Sequence, residues 1–199
     1  LPNCRFMIDG SIDRQFLAHP QISDELYFSV LVSSYREQLR NAQDLLSALS
    51  IPECPEKLKQ SLETLIEKDT KSLLLRKDGT LLYHGRAIPF LDDELKKACI
   101  NQCGEKCDLY LNGALSKSLY AFLSRFTNLM VVVDNFTLYR NIGIHESPCG
   151  RFEPDLALLR IVPVKKIFLK QETETCSLKF PENVDVHDLF KEDTHLINL

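Results

Sequence analysis

Apolar residues recur at Phe28, Leu31, Val32, Tyr35, Leu39, Ala42, Leu46 and Leu49, the three-and-four spacing of one helical face. Ser23-Asp24-Glu25 ahead of this stripe offers a capping hydroxyl and two first-turn acids, so the pattern predicts a long helix that begins there. Ile51-Pro52-Glu53-Cys54-Pro55 interrupts it. Pro55 suits the first turn of a second helix, whose buried face carries Leu58, Leu62, Leu65 and Ile66.

The texture then changes. Ser72 to Leu75 and Thr80 to Tyr83 are short apolar runs separated by Lys77-Asp78-Gly79, which predicts two adjacent strands and a tight turn. Leu91 to Ile100 reads as a helix with acids first and lysines later, the order its dipole favours. Asp108 to Leu111 predicts a strand, and Leu115 to Arg125 a helix with Leu115, Leu119 and Leu123 on one face. Asn128 to Val133, Thr137 to Ile142, Leu156 to Val162 and Val164 to Lys170 are rich in Val, Ile and Leu and predict strands. Ser147 to Gly150 reads as a loop, Ser177 to Phe180 as a last strand, and Glu182 to Leu199 as a loosely attached tail. The expected organisation is a helical N-terminal extension over 1–70, a β-rich core over 71–180 and a C-terminal tail over 181–199. The expected class is α+β, a helical layer against a mostly antiparallel sheet.

Composition narrows the function. Apolar residues make up 44% and charged residues 26% of 199 residues, enough to bury a core without metal or disulfide support. The net charge of -4 argues against general attraction to nucleic acid, although Lys165, Lys166 and Lys170 form a local basic patch. The longest apolar runs, such as Leu129 to Val133, are far too short to cross a bilayer, and no sequence-specific nucleic-acid or membrane partner is expected. The start at Leu1 predicts a segment cut from a longer protein. Seven cysteines at irregular spacing point to a reducing compartment, cytoplasm or nucleus, rather than to a disulfide framework. Cys99, Cys103 and Cys107 recur every fourth residue. A metal there would need the helix to run on through Gly104 and a fourth ligand that is not apparent, so they read as small residues lining a helix and the next strand.

Three segments carry the candidate chemistry. Leu81-Leu82-Tyr83-His84-Gly85 puts an imidazole at a strand end beside a glycine that lets a flat ligand approach the backbone. Leu109-Tyr110-Leu111 is followed by Ser116-Lys117-Ser118-Leu119-Tyr120, a strand tyrosine and a hydroxyl-rich helix start. Asp155 opens the run Leu156-Ala157-Leu158-Leu159. Each has a plainer reading: Ser116 as a helix cap, Tyr110 as core packing with a bonded hydroxyl, Asp155 as a solvated strand start. His145-Glu146 and His187-Asp188 lack metal-ligand spacing.

Over about residues 70 to 172, these segments together resemble the catalytic domain of poly(ADP-ribose) polymerases, of the diphtheria-toxin type of ADP-ribosyltransferase. The resemblance implies a split antiparallel β-sheet core and NAD as substrate, with no metal. It implies that His84 binds the nicotinamide-side ribose, that Gly85 and Ser118 hold the carboxamide, and that Tyr110 stacks on the nicotinamide ring. Asp155 would stand where the family's catalytic Glu bonds the ribose 2'-hydroxyl and stabilises an oxocarbenium-like transition state. Ala121 occupies the place of the family's second stacking tyrosine, and Tyr120 stands one residue early, about 100° away around a helix. Asp in place of Glu draws the carboxylate back by roughly 1.5 Å. An arginine-type transferase fits less well, because proline interrupts Glu153-Pro154-Asp155 and His84 stands where that type has Arg.

The expectation is therefore a divergent ADP-ribosyltransferase-like domain with weak or absent NAD-dependent activity that acts mainly as a scaffold for a protein partner. The alternatives are an active mono-ADP-ribosyltransferase, with Asp155, His84 and Tyr110 as its working set, and an unrelated helical-plus-β interaction module.

Overall fold

The computed structural model describes residues 19–32, 35–86, 93–101, 105–126, 128–138, 155–171, 180–181 and 184–189. Along these the chain forms β1 (Leu26–Val32), α1 (Arg36–Leu49), α2 (Glu56–Leu65), β2 (Ser72–Arg76), β3 (Leu81–Gly85), α3 (Asp93–Asn101) and β4 (Cys107–Leu111). Then come α4 (Lys117–Leu123), β5 (Leu129–Val133), a 3-10 turn (Phe136–Leu138), β6 (Asp155–Leu158), β7 (Val164–Gln171) and β8 (Asp185–Asp188). The class is mixed α+β, with four helices and two sheets among the described residues.

The larger sheet has the order β3-β2-β4-β5-β6. Its first two strands form an antiparallel hairpin through Lys77-Asp78-Gly79, where Gly79 takes φ +90 and the Asp78 carboxylate accepts the Thr80 N–H at 2.8 Å. A left-handed φ at that position is why glycine suits the turn. β2 also pairs antiparallel with β4, but β4/β5 and β5/β6 are parallel. The expectation of a mostly antiparallel sheet thus fails on this side. The link from β4 to β5 contains α4, which carries the chain back to the end of the sheet where β4 began, so the next strand runs the same way.

Strand periodicity sorts the side chains into two cores. On one face Leu109, Leu111, Val131, Val133, Leu156 and Leu158 pack with Leu95 and Cys99 of α3, with Leu115 just ahead of α4, and with Leu119 and Leu123 of α4. On the other, Leu73, Leu75, Tyr110, Val132 and Ala157 pack with Leu62 of α2, flanked by Leu58, Leu65 and Ile66. The large sheet therefore lies between helices on both faces. The smaller sheet, β1-β7-β8, is wholly parallel. Its inner face (Val30, Val32, Ile167, Leu169) packs on Ala42, Leu45 and Leu46 of α1. Phe28 meets the ring of Phe136 edge-on at 6.2 Å, which joins this core to the first.

Several elements differ from expectation. Residues 26–32 form a strand, and the helix begins only at Arg36, with Tyr35 rather than Ser23 at its cap position. Tyr27, Phe28, Val30 and Val32 favour extended backbone, and alternation puts Phe28, Val30 and Val32 on the inner face as well as any helical spacing would. The expected strand over 137–142 begins instead as the 3-10 turn, its remainder lying outside the described residues. Of the expected strand over 177–180 only Phe180 is described, and it belongs to none. The expected tail contains β8, which pairs with β7. The expected N-terminal extension contains β1, which also pairs with β7. The expected loop over 147–150 lies outside the described residues.

Candidate functional site

The carboxyl ends of β3, β4, β5 and β6 lie at one end of the large sheet, where β2 begins. Crevices at such ends are where open α/β sheets bind ligands. Here that end carries a polar knot. Asp134, just beyond β5, is buried; its Oδ1 accepts the Tyr110 hydroxyl at 2.8 Å and its Oδ2 accepts the Asn135 amide at 2.8 Å. Arg160, just beyond β6, places Nη1 3.1 Å from Oδ1 and 3.3 Å from Oδ2. Its backbone N–H also donates to the Asp134 carbonyl, while the Asp134 N–H donates to the Leu111 carbonyl. One carboxylate thus ties together the ends of three strands. Burial, then the Asp134 charge, pushes the Tyr110 phenol far up, so it remains a protonated donor.

The expected site residues are dispersed. His84 stands in one cross-strand row with Leu73, Tyr110, Val132 and Ala157, so His84 and Tyr110 share the α2 face with one strand between them. His84 Nε2 lies 3.0 Å from Thr70 Oγ1, which also accepts the Glu67 N–H at 2.9 Å. Asp155 is on that face too, but on β6, at the opposite edge from β3 and in the row of Met130, Asp108 and Leu75. Four strand spacings separate the two edges, roughly 19 Å. Ser118 and Tyr120 lie on α4, on the far side of the sheet. Ser116 is the cap of α4, accepting the Leu119 N–H at 3.3 Å, and Ser118 is exposed with its hydroxyl 3.1 Å from that of Ser116.

Two of these positions have occupants where a ligand was expected. Tyr110 has 0% exposure and its hydroxyl is spoken for. A Cβ on Gly85 would fall 2.4 Å from Ser72 Oγ and 2.7 Å from the Tyr83 hydroxyl, so this glycine makes room for neighbouring side chains. Asp134, Asn135 and Arg160 were missed in the sequence. Their signal was polar residues placed directly after the apolar runs of β5 and β6.

Cys99 lies on α3 and Cys107 on β4, so the four-residue spacing does not align them on one helix; Cys103 falls outside the described residues. Burial pushes the Cys99 thiol up to about 12 and the Cys54 thiol up to about 11, and raises that of Cys107 as well. No group of three or more His, Cys, Asp or Glu among the described residues is placed to hold a metal. No helix there is long and apolar enough to cross a membrane.

Exposed apolar side chains gather at the other sheet. Among the described residues seven large ones are exposed, and four of them, Ile22, Tyr27, Leu31 and Tyr35, fall on or beside β1. Tyr27 (57% exposed) and Leu31 (45%) share the outer face with Phe168, which meets His187 edge-on at 5.8 Å and lies 5.8 Å from the Lys166 ammonium. No family model, curated protein or solved structure matches this chain.

Proposed function

We propose that this chain is a protein-interaction scaffold, in which the likeness to poly(ADP-ribose) polymerase catalytic domains does not extend to working NAD chemistry. The observation that carries this reading is the concentration of exposed apolar side chains on and beside one edge strand, β1. Such a cluster is costly to leave in water and is typical of surfaces that bind other proteins.

The dispersal of the expected NAD residues supports the same reading. Transfer of ADP-ribose needs a stacking ring, a carboxamide clamp and a carboxylate at the ribose, all around one dinucleotide. The ring of Tyr110 is enclosed, Ser118 is across the sheet, and Asp155 is at the far edge from His84. His84 and Tyr110 stand on one face and in one row, with β2 between them. Among the described residues, antiparallel pairing is confined to β3-β2-β4, against the split antiparallel core that the resemblance implies. The free, buried cysteines Cys54, Cys99 and Cys107 suit an intracellular setting.

The test is a thermal melt of the full chain with millimolar NAD, together with incubation with labelled NAD. A ligand held by the folded state raises its melting temperature by mass action. The scaffold reading expects no rise and no label. A rise that Asp155→Ala removes would establish the transferase alternative in its place.

A further inference from the structure

We propose that β1 is an open docking edge that receives an extended, acidic segment of a partner protein as an added strand; this rests on the scaffold reading above. Among the described residues each sheet has two edges, and the four edge strands are β1, β8, β3 and β6. Exposed edges are templates for further strand pairing, and proteins usually blunt them with cover, shortness, charge or a bulge. β6 is covered: Leu158 donates its N–H to the Pro52 carbonyl at 2.9 Å and accepts the Cys54 N–H at 2.8 Å. β8 has only four residues, two of them Asp185 and Asp188. β3 has five, and its pairing is broken by an irregularity opposite Leu74 and Leu75.

Among the described residues, none of these devices acts on β1 from Tyr27 to Val32. Its seven residues, LYFSVLV, include no charge, proline or glycine. Its pairing irregularity falls at its first residue, and Tyr27 to Val32 then run in unbroken register with Lys166 to Gln171. The Leu26 N–H donates to the Pro163 carbonyl on the β7 side. In a regular strand successive residues turn their N–H and C=O to opposite edges, so those of Tyr27, Ser29 and Leu31 point to the open one. The same three residues are exposed on the outer face. The edge thus offers main-chain groups together with two apolar contacts, the combination that strand addition uses.

The chemistry of the occupant follows from charge and size. In cross-strand register, Tyr27 stands beside Lys166 and Leu31 beside Lys170. Lys166 is paired with Asp185 at 2.9 Å, while Lys170 is exposed and makes no ion pair with the described residues. Lys170 thus leaves one positive charge beside Leu31, on a chain of net charge -4, and that charge favours an acidic guest. A second copy through β1 is the weaker occupant. It would bring LYFSVLV, which has no carboxylate to meet Lys170.

The test uses a fluorescent peptide of alternating valine and glutamate, its lysine counterpart, and a version N-methylated along one edge. Binding to the full chain is read by anisotropy. The glutamate peptide should bind and the lysine peptide more weakly, with Lys170→Glu removing that preference. Ser29→Pro deletes one open-edge donor without touching the β7 ladder, and should weaken binding at least about tenfold with the circular dichroism unchanged. N-methylation should abolish binding to the wild-type chain, a result that does not depend on how any variant folds. Full binding of the N-methylated peptide, no binding of either peptide, or a dimer that Ser29→Pro dissociates would each overturn the proposal. Those results leave the scaffold reading standing. Stabilisation by NAD lost in Asp155→Ala would remove that reading even if the peptide binds.

Discussion

The Tyr110 hydroxyl donates to Asp134 Oδ1 at 2.8 Å, across from β4 to the end of β5, with both residues buried. The family resemblance implied a ligand for Tyr110 to stack on; the plainer reading, core packing with a bonded hydroxyl, is what the structure shows. Tyr110→Phe leaves Asp134 with Asn135 and Arg160, and should cost about 1 kcal/mol. Asp134→Ala orphans the phenol and loosens Arg160, and should cost about 3 kcal/mol. Urea denaturation measures both, and a larger loss in Tyr110→Phe than in Asp134→Ala would argue against Asp134 as the hub.

Gly85 is expected to tolerate no side chain. A new Cβ would meet Ser72 Oγ at 2.4 Å, so Gly85→Ala should destabilise by about 1–3 kcal/mol. Adding Ser72→Ala removes the nearest atom and should restore part of the loss. Wild-type stability in Gly85→Ala alone would show that the space beside Gly85 is open.

Leu62 is the fully buried anchor of α2 on the Tyr110 face. Leu62→Ala should cost about 2–5 kcal/mol by the lost transfer term and the cavity left behind. A smaller loss would mean that α2 is loosely seated, and Tyr110 would then no longer be enclosed.

The buried thiols set a pH dependence. Cys54 and Cys99 are raised from 9.0 to about 11 and about 12 in the folded chain. Above pH 9 the unfolded chain releases these protons while the folded chain keeps them. Stability therefore falls as pH rises from 9 through about 12, and the two thiols contribute no loss below that window. Thermal melts from pH 7 upward measure the slope, and Cys99→Ala should flatten it. The same burial should slow labelling of these cysteines by a thiol reagent until the chain is denatured.

Much of the fold was legible where local chemistry decides it. Pro55 and the Leu58, Leu62, Leu65 spacing marked α2, Lys77-Asp78-Gly79 marked the hairpin, and Ser116 marked the start of α4. The misreading of β1 has a physical cause. Phe28, Leu31 and Val32 fit a helical stripe, while the strand that decides the matter, β7, is far along the chain. Strand direction was hidden for a similar reason, since a strand's own pattern says nothing of which way its neighbour runs. The candidate site was legible only as residue types. His84 and Tyr110 do share a sheet face, but the place of Asp155 depends on strand order, which puts β3 and β6 at opposite edges.

The central claim is that His84, Tyr110 and Asp155 do not surround one nucleotide, and amide NMR of the labelled chain titrated with NAD tests it most directly. The account predicts that the amide signals of these three residues stay where they are at millimolar NAD. Shifts at all three that saturate together along one binding curve would contradict it.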